Sequence, residues 1–69
     1  MRRVELELDC PHALYTPDAY YWGWGVEAFF CGVPENDAAL MVQVPFRTFV
    51  RQGYHYMAAR MERLHALNT

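Results

Sequence analysis

The chain contains no lysine, no isoleucine and no serine. Without serine there is no serine nucleophile. Without lysine the usual flexible cation for loose phosphate binding is missing, and arginine alone must supply positive charge. Lysine and isoleucine have AT-rich codons, so their joint absence points to a GC-rich bacterial or phage genome. No run approaches the ~18 apolar residues needed to cross a bilayer. The first residues, Met1-Arg2-Arg3-Val4-Glu5, turn charged and alternating at once, which is not the pattern of a secretory leader. Only two cysteines occur, Cys10 and Cys31. With no leader, two buried reduced thiols in a cytoplasmic protein are expected.

What is present is apolar and aromatic. Hydrophobic residues make up 54% of the 69, and eleven are aromatic. A chain this short is a single domain, residues 1–69, and buries only ~60% of the surface its unfolded form exposes. Aromatic side chains each bury about 150–250 Å², so a few can build a small core. Apolar surface in excess of that core favours a partner or a homodimer.

Charge is unevenly distributed. Residues 1–40 carry seven acids against Arg2 and Arg3, a balance of −5, and residues 41–69 carry four arginines against Glu62, a balance of +3. Such a dipole bears on steering and partner choice rather than on fold.

Val4, Leu6 and Leu8 alternate with Glu5, Glu7 and Asp9, the period-2 pattern of a half-buried strand. Residues 10–18 hold two prolines and read as a loop. Residues 20–31 are aromatic and β-branched, and Gly23 and Gly25 each cost a helix about 1 kcal/mol relative to alanine, so a second strand is expected. A helix starting after Thr16-Pro17-Asp18 is the rival reading. Residues 32–38 read as a hairpin loop and residues 39–44 as a third strand, with Leu40, Val42 and Val44 on one face. Pro45 suits a first helical turn. From Phe46 the period becomes 3.6: Phe46, Val50, Gly53, Met57, Met61 and Leu64 share a stripe opposite Arg47, Arg51, Gln52, His55, Glu62 and Arg63, giving an amphipathic helix to about Leu67. Gly53 on the buried stripe implies close approach of a neighbouring element. The expected fold is α+β: a three-stranded, mainly antiparallel sheet with one C-terminal helix on one face.

In that fold the uncovered sheet face gathers Glu5, Glu7, Asp9 and Glu27 around Tyr21 and Phe29, with Met41 and Gln43 of the third strand beside them. This is the expected partner-binding surface, acidic and aromatic and suited to a basic protein. Arg47, Arg51 and Arg63 on the helix are the alternative, for a small nucleic-acid-binding regulator. Homodimerisation of a structural subunit through the sheet is another. Cys10-Pro11-His12 offers two metal ligands where zinc needs three or four, and Gly23-Trp24-Gly25 lacks the context of a phosphate loop. No cofactor and no enzymatic activity are expected.

The short length, the acidic segment Arg3-Val4-Glu5-Leu6-Glu7-Leu8-Asp9, the aromatic excess and the lack of catalytic residues together resemble small phage proteins of the anti-CRISPR class. The resemblance implies a non-enzymatic inhibitor that binds a subunit of a bacterial CRISPR effector and blocks a basic nucleic-acid site. It assigns no individual residue.

Overall fold

The computed structural model describes residues 10–67. These form α1 (Pro17–Phe30), α2 (Glu35–Leu40), a single 3-10 turn (Val44–Phe46) and α3 (Arg47–Leu67). The described residues contain no strand, so the expected α+β architecture is replaced by an all-helical one. The expected strand over residues 3–9 lies outside the described residues. Of the other two, residues 20–30 are helix α1 with Cys31 as its cap, and residues 39–44 are the end of α2, a turn and the start of the 3-10 turn.

Helix α1 begins where its start signal stands. The Thr16 hydroxyl accepts from the Ala19 amide at 3.2 Å, and Pro17 occupies the first turn, where its missing N–H leaves nothing unpaired. The helix stops at Gly32, whose φ of +77° places it in the left-handed region that suits glycine. The Gly32 amide donates to Phe29 and the Val33 amide to Ala28, which closes the open carbonyls in a Schellman motif. Helix α3 follows the sequence closely. Pro45 sits in the 3-10 turn that leads into it, and Val50, Gly53 and Met57 of the expected stripe are buried.

The two long helices meet backbone to backbone. A methyl group placed on Gly25 would overlap the Val50 carbonyl oxygen and lie 2.7 Å from the Tyr54 amide nitrogen. One placed on Gly53 would overlap the Trp22 carbonyl oxygen. Each helix thus supplies the glycine that the other's carbonyl requires. The close approach expected at Gly53 is present, and the neighbour is a helix rather than a sheet.

Two small cores flank this contact. On one side Trp22, Val26 and Met57 pack with Cys10, Phe29 and Tyr56. On the other, Ala38, Val42 and Val50 pack with Tyr21, Trp24, Ala28, Val33 and Phe46. Both turns are tied to α3: the Tyr54 hydroxyl donates to the Val33 carbonyl at 2.8 Å, and Arg47 Nε donates to the Val42 carbonyl at 3.0 Å.

Gly23 differs from its neighbour two residues on. Nothing lies within 4 Å of a methyl group built there, so its helix cost is not offset by packing. Gly23→Ala is expected to stabilise the domain by about 0.5–1 kcal/mol. Thermal unfolding followed by circular dichroism should register a rise of several degrees, whereas a fall would mean the site is closed.

Candidate functional site

Helix α1 is apolar on nearly every side, and α3 covers only part of it. Trp24, Ala28 and Cys31 recur at i, i+4 and i+7, so they share one face. The turn through Val33 and the end of α2 at Met41 rise beside that face. Together Trp24, Glu27, Ala28, Cys31, Val33 and Met41 line an open groove of about 220 Å³. Met41 is 65% exposed, which is high for a large apolar side chain flanking a core. The ring of Tyr20, 6.4 Å from that of Trp24, prolongs the apolar face. Glu27 is the one charged residue of the lining, and its carboxylate has no hydrogen bond or ion pair among the described residues.

A polar cluster joins α2 to α3. Arg51 donates to Glu35 Oε2 at 2.9 Å and to Asn36 Oδ1 at 3.1 Å, and His55 Nε2 lies 2.9 Å from the same Glu35 oxygen. Partial burial pushes the Glu35 carboxyl up, but hydrogen bonds and positive charge from Arg51 and His55 outweigh it, and the net pKa is lowered. A depressed carboxylate contributes stability above its unfolded value, and that contribution is lost as pH falls through the folded value. Glu35→Gln is therefore expected to lower stability at pH 7 by up to about 1 kcal/mol. Denaturation of the two proteins at acid pH, below the ordinary glutamate value of about 4.3, should show the difference closing. A gap that persists unchanged there would detach the effect from ionisation.

Of the sequence-derived partner-binding residues, Tyr21, Glu27 and Phe29 are described. Glu5, Glu7 and Asp9 lie outside the described residues. Tyr21 stacks on Phe46 with ring centroids 4.5 Å apart, and Phe29 meets Tyr54 edge-on at 5.4 Å, so both serve internal packing. Of the three described members only Glu27 stands on an exposed apolar face. Among the alternative residues, Arg47 and Arg51 are held by Val42 and by Glu35 with Asn36, while Arg63 is exposed near the end of α3. Both cysteines are free, but Cys31 is exposed and Cys10 half-buried, so the expected burial fails.

The sequence leaves Trp24 and Cys31 inside and puts Met41 on the uncovered face; all three line the groove. The i, i+4, i+7 spacing of the α1 members was available once the segment is taken as helix. Met41 reaches the groove from the end of α2 rather than from a third strand. Among the described residues no group of three or more His, Cys, Asp or Glu could hold a metal ion, and no helix is long and apolar enough to cross a membrane. No family model, no curated protein and no solved structure matches the chain.

Proposed function

We propose that this protein is a small non-enzymatic binding module whose working surface is the apolar groove of α1. The observation that carries the reading is the combination of Trp24, Ala28, Cys31, Val33 and Met41 around an open groove whose lining also holds Glu27, unpaired among the described residues. Exposed aromatic and methionine surface is favoured at protein interfaces, and a groove of this kind accepts the apolar face of an amphipathic helix. The free carboxylate calls for an arginine or lysine on that helix. Contact with a basic nucleic-acid-handling protein, and hence inhibition of a bacterial nucleoprotein complex, is the same encounter made on a larger partner. Two free thiols suit a reducing cytoplasm as its setting.

The test is site-specific photo-crosslinking in bacterial cells from position 41, with position 59 as the control because Ala59 is exposed on α3 away from its buried stripe. The expected adduct forms from position 41 only, and its attached peptide carries apolar residues at helical spacing beside an arginine or lysine. Equal adducts from both positions, or none, would remove the groove as the working surface.

A further inference from the structure

Helix α3 outruns its own packing. Its 21 residues span about 31 Å, yet its last buried residue is Met57. Met61 and Leu64 continue the stripe of Val50 and Met57 by helical spacing, and they are 36% and 42% exposed. Leu67 flanks them and is 81% exposed. Arg63 lies on the same flank as Leu67, and its guanidinium has no partner among the described residues. The end of α3 is thus an apolar ridge with a free cation at its side.

The groove of α1 is the complement of that ridge. It is apolar, and the one charge of its lining is Glu27, which is unpaired among the described residues. The complementarity extends to whole elements. Residues 10–46 carry four acids and no arginine or lysine, while α3 carries four arginines against Glu62. Ridge and groove belong to the same molecule but to opposite poles of its charge.

We infer that the groove of α1 receives the Met61–Leu64 ridge of a second copy of this chain, with Arg63 of each copy set against Glu27 of the other. This rests on the reading of the groove as a binding site and names its occupant. Each copy holds one ridge and one groove, so each ridge-to-groove contact joins unlike surfaces, and the two-fold arrangement is the one that joins both pairs in a closed dimer rather than an open chain. The anchors Met61 and Leu64, three residues apart, match the spacing of a helix laid in a groove. Opposite charges outside the apolar contact fix its register and speed encounter.

Cys31, an exposed member of the groove lining, supplies the test. In a Cys10→Ser, Leu64→Cys variant, mild oxidation should give a dimer linked between position 64 and Cys31 of different chains, identified by peptide mass spectrometry. A Cys10→Ser, Ala59→Cys control should not form it. Separately, sedimentation equilibrium should show wild type as a dimer, Glu27→Arg as at least tenfold weaker, and Glu27→Arg with Arg63→Glu as restored. A protein monomeric at every concentration, a link formed within one chain, or equal linking from position 59 would overturn the inference. The position-41 crosslink separates the two levels of failure. If the protein is monomeric but that probe captures a basic helix of another protein, the groove stands and the self-association falls. If it captures nothing, both fall.

Discussion

Gly53→Ala is expected to destabilise the domain by about 3 kcal/mol or more, the upper range for overpacking. That corresponds to a fall in Tm of roughly 12 °C or more in a domain of this size. The direction opposes helix propensity, which favours alanine over glycine by about 1 kcal/mol. The reason is that the added methyl group meets the Trp22 carbonyl of α1. A flexible side chain would swing aside, but a carbonyl held in a helix moves only with its helix. Gly25→Ala meets the Val50 carbonyl in the same way and should cost a similar amount. Urea denaturation of both variants is the measurement. A loss below about 1 kcal/mol in either would mean that the helices separate easily, and that the contact does not set their spacing.

Trp22→Ala is expected to cost about 3–5 kcal/mol, the range for truncating a buried aromatic. Trp22 is only 3% exposed, packs with Val26 and Met57, and holds its ring 5.0 Å from that of Tyr56. Stability of roughly 0.05–0.15 kcal/mol per residue leaves a chain this short little reserve, so a large unfolded fraction is expected even without denaturant. Circular dichroism should show it directly. Trp22→Phe keeps a ring in the same core and should retain most of the fold. If the alanine variant unfolds at the same urea concentration as wild type, the core formed by Trp22, Val26 and Met57 is not what holds α1 to α3.

Helix α3 was legible because its apolar residues occupy one side: a period can be read only where polar residues interrupt it. In α1 Asp18 and Glu27 are the only charged residues, and apolar groups face α3, the second core and the open groove. With apolar groups all round, a period of 2 and a period of 3.6 fit almost equally well. The glycines then tipped the reading toward strand, since their cost to a helix is local while the backbone contact that offsets it at Gly25 is tertiary. Thr16, Pro17 and Gly32 marked the helix at both ends. Residues 39–44 failed for a different reason. Leu40, Val42 and Val44 alternate over only six positions, too few to separate a strand from a short helix and a turn, and Glu35 and Asp37 after Pro34 were the better signal of a helical start. The candidate groove was legible at Glu27 and Met41 alone, because the strand reading turns Trp24 and Ala28 inward and puts Val33 in a hairpin loop, whereas all of them line the groove.

The glycine contact also decides which changes the chain can absorb as it diverges. Buried side chains can trade volume with one another, so a methionine or valine in either core can be exchanged if a neighbour compensates. No neighbour can compensate at Gly25 or Gly53, because what stands opposite is main chain that every amino acid shares. The two positions that contribute no side chain to the interior are therefore the two where the fewest replacements are open.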